Sequence, residues 1–110
     1  MILVEDGLLG SGESGRTTAH FTYALDDRYE HLEKVLGFEL TKKAYQSHKE
    51  AIDMAEQIVK DEHIECHFKR ISGYLSVHPS DTIETLEKEY DIAQKLGIPL
   101  TWLDNTPDIE

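Results

Sequence analysis

The sequence predicts an α+β fold dominated by helix, with three helices, one β-hairpin and a short N-terminal strand. Three observations point there. Apolar residues recur every three and four positions over three stretches set apart by glycines and turn residues, the mark of amphipathic helices. Two β-prone runs, Cys66–Ile71 and Tyr74–His78, flank Ser72-Gly73, the pattern of a hairpin with a two-residue connection. The chain opens on an apolar run, Ile2-Leu3-Val4, that stops at the acidic pair Glu5-Asp6, as a buried strand stops at its carboxyl end.

After the expected strand come four glycines, Gly7, Gly10, Gly12 and Gly15, and then Arg16-Thr17-Thr18. Backbone so rich in glycine can approach a ligand closely, and here a cation and two hydroxyls stand beside it. Gly10-Ser-Gly12-Glu-Ser-Gly15 satisfies the GxGxxG pattern that cradles a dinucleotide pyrophosphate, but its context does not fit. Gly10 lies five residues beyond Glu5, and the segment after Gly15 is rich in threonine and aromatics where a helix should begin. The alternative makes Met1–Val4 the second strand of a dinucleotide-binding unit and Glu5 its terminal acid, accepting hydrogen bonds from adenosine ribose hydroxyls. The phosphate-binding glycine loop would then lie upstream of Met1. Each residue also has a plainer reading: acids commonly end strands, and Arg16 could pair with any of many surface carboxylates.

The helices follow in order. Asp26 or Asp27 can cap a helix over 28–36, with Tyr29, Leu32, Val35 and Leu36 on one face and Gly37 beyond its end. From Phe38 to Asp61 there is neither Gly nor Pro. Leu40, Ala44, Ser47, Ala51, Ala55, Ile58 and Val59 give that long helix a face expected to be buried, opposite a face of lysines and acids. Asp81-Thr-Ile-Glu84 has the form of a capping box, and Ile83, Leu86, Tyr90, Ala93 and Leu96 make the stripe of a third helix that stops at Gly97. Ile98–Leu103 reads as extended and at most an edge strand, because Pro99 cannot donate a ladder bond. Asn105–Glu110 is expected to fray.

Composition bounds the function. A chain of 110 residues makes one domain at most. Eleven Lys plus Arg against twenty-two Asp plus Glu leave a net charge of −11, which argues against nucleic acid and anionic membrane surfaces as partners. The single cysteine excludes an intrachain disulfide framework and fits a reducing cytoplasm. No segment approaches the roughly eighteen apolar residues of a membrane span. His63, Cys66 and His67 lack the fourth ligand and the spacing of a zinc site, so no metal is expected. Neither Cys66 nor Ser47 stands beside an activating base, and His20, just after the glycine-rich loop, is the histidine best placed to neighbour an active site.

Val4-Glu5-Asp6-Gly7, Gly12-Glu-Ser-Gly-Arg-Thr-Thr-Ala-His20 and Leu25-Asp-Asp-Arg-Tyr29 together resemble the FAD-dependent oxidoreductases of the D-amino-acid-oxidase (DAO) type. The match is best with the branch similar to glycine and glutamylputrescine oxidases, some of which carry a C-terminal Rieske domain. It continues through Ser47-His48, Ala51-Ile52-Asp53, Ile64–Arg70 and Gly73-Tyr74-Leu75. The resemblance implies an FAD-binding Rossmann-like fold, of which this chain would be an N-terminal slice lacking the first strand and glycine loop. It divides the chain into the second strand plus flavin-contacting loop (1–25) and a helical and hairpin segment between the FAD and substrate domains (26–110). It implies that Glu5 holds the ribose and that Ser14, Gly15, Arg16, Thr17 and Thr18 contact the pyrophosphate and flavin. The implied reaction is oxidation of the C–N bond of a small amine or amino acid; no residue here receives the hydride-transfer or substrate-clamping role. Alone, such a fragment is expected to retain no FAD, to be inactive and to self-associate through exposed apolar faces. The competing reading is a small acidic helical module that binds a protein through the apolar stripe of its long helix.

Overall fold

Among the described residues, three α-helices and one 3₁₀ turn account for the regular structure, and glycines stand between the first two helices and after the third. The structure, a computed structural model, describes residue 2 and residues 4–105. Helix α1 runs Tyr29–Leu36, α2 Phe38–Asp61 and α3 Ile83–Leu96. Gly37 alone separates α1 from α2, at φ 78 and ψ 162, a region essentially confined to glycine. Its N–H closes α1 on the Glu33 carbonyl, and its carbonyl accepts from the amide and the fully buried hydroxyl of Thr41 in α2. Gly97 ends α3 in the left-handed region at φ 80 and ψ 24, and the Ile98 amide bonds back to the Ala93 carbonyl in a Schellman closure.

α1 is the hub: it packs on α2 and on α3. The core is small and rich in tyrosine. Tyr29, Tyr45, Ile92 and Leu96 are buried, with Tyr23, Leu25, Leu32, Phe38 and Ile98 packed around them. The Tyr45 ring meets Tyr29 and Tyr23 edge to face, at centroid separations of 6.1 and 5.5 Å, a favoured arrangement for aromatic quadrupoles. The Tyr29 hydroxyl donates to the Tyr23 carbonyl, so the buried phenol is satisfied and the entering chain is tied to α1. Burial, reinforced by the neighbouring Tyr45 and the carboxylate of Glu89, pushes the Tyr29 phenol up to about 12.

The first turn of α1 is capped from another helix. Neither Asp26 nor Asp27 caps it; the N-cap position is Arg28, whose side chain makes no capping bond and whose φ is 49. The Tyr29 and Glu30 amides instead donate to the two oxygens of Glu89, 2.9 and 2.8 Å away, across sixty and fifty-nine residues of sequence. A carboxylate at a helix N-terminus meets both the orphan amides and the positive end of the helix dipole. This explains how Glu89, only 8% exposed, can sit inside the α1–α3 interface. Beside it the Arg28 guanidinium holds Asp81 at 2.6 Å, with both side chains largely covered.

The expected α+β class is not what forms: among the described residues there is no β-strand, and the fold is helical. The hairpin fails for local reasons. His67 turns the chain to φ 54 inside the first run, Gly73 does not adopt the positive φ that a tight hairpin turn needs, and residues 71–80 are all exposed. An isolated two-stranded ribbon with no face to pack on is marginal in water. Of the expected N-terminal strand, Ile2 and Val4 are described; neither is in a strand, they are 89% and 88% exposed, and no sheet occurs among the described residues. Met1 and Leu3, and the tail expected to fray from residue 106 onward, lie outside the described residues. Residues 98–103, expected to be at most an edge strand, form no strand, and Trp102 meets Tyr90 edge to face at 5.4 Å.

Two helix faces also differ from expectation. On α3 Ala93 and Leu96 of the expected stripe are buried, but Glu89 and Ile92 complete it in place of Tyr90, and Ile83 is exposed. The α3 cap is Thr82, whose hydroxyl accepts from the Thr85 amide at 3.3 Å, while Glu84 pairs with Lys88 and no capping box forms. On α2 only Thr41 and Tyr45 are buried; Leu40 and Ile58 of the face expected inside are open to solvent, as is Met54. The radius of gyration, 17.4 Å, exceeds the roughly 13 Å of a compact chain of this length, so much apolar surface stays uncovered.

Replacing Glu89 by Ala should cost about 2–4 kcal/mol in urea unfolding, because two helix-end amides lose charged acceptors. Glu89→Gln should fall between, since its amide group can serve only one of them. Stability should also fall at both pH extremes. The Thr82 amide and Arg28 hold Asp81 below its ordinary 3.8, so its contribution is whole above that value and is lost as pH falls through the lowered one. Tyr29 works in the opposite sense, contributing fully below its ordinary 10.0 and losing that share as pH rises toward about 12. Urea midpoints across pH should show both arms, with Asp81→Asn flattening the acid one.

Candidate functional site

The glycine-rich loop is closed on itself by short-range bonds. The Ser11 amide reaches the Leu8 carbonyl at 2.9 Å, and Glu13–Gly15 forms a single 3₁₀ turn ending with the Arg16 amide on the Glu13 carbonyl, also at 2.9 Å. Gly10, at φ 75, brings its carbonyl against Gly15 so closely that a Cβ on Gly15 would overlap the oxygen. This is a site where only glycine allows the two backbone segments to approach.

Glu5, Ser14, Gly15, Arg16, Thr17 and Thr18, the six candidates from sequence, are all exposed. One oxygen of Glu5 accepts from the amide of Asp6 at 3.0 Å. Arg16 reaches Glu13 at 3.5 Å with both side chains solvated, a contact worth little in water. The Thr17 hydroxyl accepts from the Ala19 amide at 3.3 Å and helps hold Ala19 at φ 56, an unusual conformation for alanine. Ser14 to Thr18 are thus consecutive on one turn, offering hydroxyls and a guanidinium outward, and Glu5 stands on the preceding segment. Nothing encloses them among the described residues.

The chain leaving this loop lies against α2. His20, Phe21 and Thr22 face His48, Ala51, Ile52 and Ala55 across an open groove of about 320 Å³ with mainly apolar walls. His48 donates from Nδ1 to the Ala44 carbonyl at 2.9 Å. Ala51 and Ala55 add small side chains to the lining. In the sequence Ala51 and Ala55 belong to the helical face expected to be buried, and His48 lies at its edge, a packing or surface position. A second open groove, about 450 Å³, lies on α3 between Ile83, Glu87, Tyr90, Asp91 and Trp102. No group of three or more His, Cys, Asp or Glu side chains that could hold a metal occurs among the described residues.

One charged cluster was not foreseen. Arg70 reaches back to α2, its Nη2 bonding Asp53 at 2.6 Å and Glu56 at 2.7 Å and its Nε bonding Glu56 at 2.9 Å. Lys49 and Lys60 approach the same two acids at 2.7 Å. Lys49 and then Arg70 hold the Asp53 carboxyl below its usual range, and Lys60 and then Arg70 do the same for Glu56. These are solvated ion pairs, and their value is positional more than energetic.

Comparison with known proteins covers nearly the whole chain. The model of the FAD dependent oxidoreductase family, DAO, matches residues 1–110. A Bacillus subtilis (strain 168) protein, YhfW, whose name describes it as a Rieske 2Fe-2S iron-sulfur protein, is 24% identical over 107 residues. The aligned region takes in 97% of this chain and 21% of that relative, so the chain spans about a fifth of its length. No solved structure matches.

Gly15→Ala should rearrange residues 10–16 without unfolding the helices. Amide chemical shifts should move throughout the loop, while global stability changes by less than about 0.5 kcal/mol, as for a surface position remote from the core.

Proposed function

Because the chain belongs to the DAO family of FAD dependent oxidoreductases, we propose that it forms part of an enzyme that oxidises the C–N bond of a small amine or amino acid. When bound, FAD supplies the acceptor for the hydride that such an oxidation removes. The chain's own share is binding. The close Gly10–Gly15 approach, the hydroxyls of Ser14, Thr17 and Thr18 and the guanidinium of Arg16 make a donor-rich turn, and pyrophosphate and flavin oxygens are acceptors. Gly15 belongs to that turn because a side chain there would force the backbone apart. Glu5 is an acceptor, suited to ribose hydroxyls, and its second oxygen remains for that use beside the one engaged by the Asp6 amide. The chemistry of the donor set therefore fits the cofactor.

The observation that carries this reading is the family match across the whole chain. The name of the Bacillus relative adds support for a neighbouring Rieske domain, as in the glycine and glutamylputrescine oxidase-like branch. In the described structure the loop is open on every side, so a cofactor held only by residues 5 and 14–18 would keep most of its surface in water. Ligand sites that bind tightly enclose most of their ligand.

Titrating FAD into the 110-residue chain should accordingly give binding weaker than micromolar and no amine oxidation. Arg16→Ala and Glu5→Gln should each weaken that binding further. Submicromolar affinity would show that the chain encloses FAD by itself, and binding indifferent to both substitutions would remove the loop from the cofactor site.

A further inference from the structure

The segment between α2 and α3 makes two contacts beside the His20–His48 groove, one on a wall residue and one on α2 next to the lining. At the first, Phe68 packs against Phe21, a wall of the groove, with ring centroids 6.4 Å apart. At the second, two residues later, Arg70 grips Asp53 and Glu56 of α2, each the immediate neighbour of a groove residue, Ile52 and Ala55. His67, at φ 54, makes the bend that lets the chain return along the helix it has just left, and His63, at φ 51, makes the first turn away from it. Among residues 62–80 Phe68 is the one that is not fully exposed, so these two contacts fix a segment that otherwise has little to hold it.

We propose that residues 64–71 form a strap, clipped by the Arg70 fork and the Phe68–Phe21 contact, that governs access to the groove lined by His20, Phe21, Thr22, His48, Ala51, Ile52 and Ala55. The clip is suited to release. Its ion pairs are solvated and screened by salt, so each is weak, and the aromatic contact is a single partly exposed pair. Segments with few buried contacts open at low free energy without unfolding the helices beside them. The positive-φ bends at His63 and His67 supply the hinge positions. The proposal concerns the groove and the strap alone and does not depend on the flavin assignment of the loop before it.

The test reads a thiol in the groove lining. In a Cys66→Ser background, which removes the chain's one native cysteine, Ala55→Cys is treated with a bulky maleimide and its reaction rate measured. Adding Arg70→Gln should raise that rate severalfold, whereas Lys69→Gln, which removes the adjacent cation of the strap, should leave it unchanged. Raising the salt concentration should accelerate the Arg70 protein and not the Arg70→Gln variant. Far-UV circular dichroism should stay the same throughout, separating release of the strap from loss of α2. An equal rate with and without Arg70, or a rate insensitive to salt with Arg70 in place, would overturn the proposal.

Discussion

Two backbone amides at the start of α1 and one carboxylate on α3 set the arrangement of the rest. Glu89 is the acid that an otherwise apolar helix face could not bury without partners, and α1 begins at the residue whose amide Glu89 accepts. The pairing fixes both the register of α3 against α1 and the point where α1 starts. Once α1 is placed, Gly37 turns the chain directly into α2, and the rings of Tyr29, Tyr45 and Tyr23 close the space between them. Arg28 and Asp81 repeat the link one step outward, joining the residue before α1 to the residue before the cap of α3. The three helices are thereby tied at a single corner, with two charge-assisted contacts and one small core.

That economy leaves most of the molecule outside the core. α2 extends far past Tyr45, its last buried residue, and its outer half is accompanied only by the chain leaving the glycine-rich loop and by the strap that Arg70 holds. Ile2, Val4, Leu8 and Leu9 at one end, and Ile71, Tyr74 and Leu75 in the connection to α3, stand in solvent. The chain spans about a fifth of the length of the Bacillus relative that it matches. The net charge of −11 sets copies of so open a chain against one another by like-charge repulsion.

How much of this was readable in the residues depended on the range of the interactions. The bounds of α2 and the ends of α1 and α3 were legible because a helix stops at glycine for local steric reasons, and Gly37 and Gly97 do so here. The trans cap was not, because nothing near Tyr29 in sequence identifies a partner sixty residues away. The one available sign was an acid, Glu89, falling in line with Ile92 and Leu96, where the expected stripe has Tyr90. The strand and hairpin misled for the opposite reason. Ile2–Val4 and the runs around Gly73 have β-prone composition, but a ladder needs partners and a face to cover, and this chain supplies neither. The loop residues from Glu5 to Thr18 were singled out by motif, and the structure adds their mutual geometry: a turn that only glycine permits at position 15, with its polar groups facing out. The groove and its strap escaped because alanines and a lone arginine carry no motif.

Hydrogen exchange at the first two amides of α1 tests the governing contact without altering a single residue. The account requires the Tyr29 and Glu30 amides, which in an ordinary helix would be orphans exchanging freely, to be protected as strongly as amides in the middle of α1. Protection at these two positions no greater than at the first amides of α2 would mean that Glu89 does not hold them, and the corner on which the three helices meet would have to be redrawn.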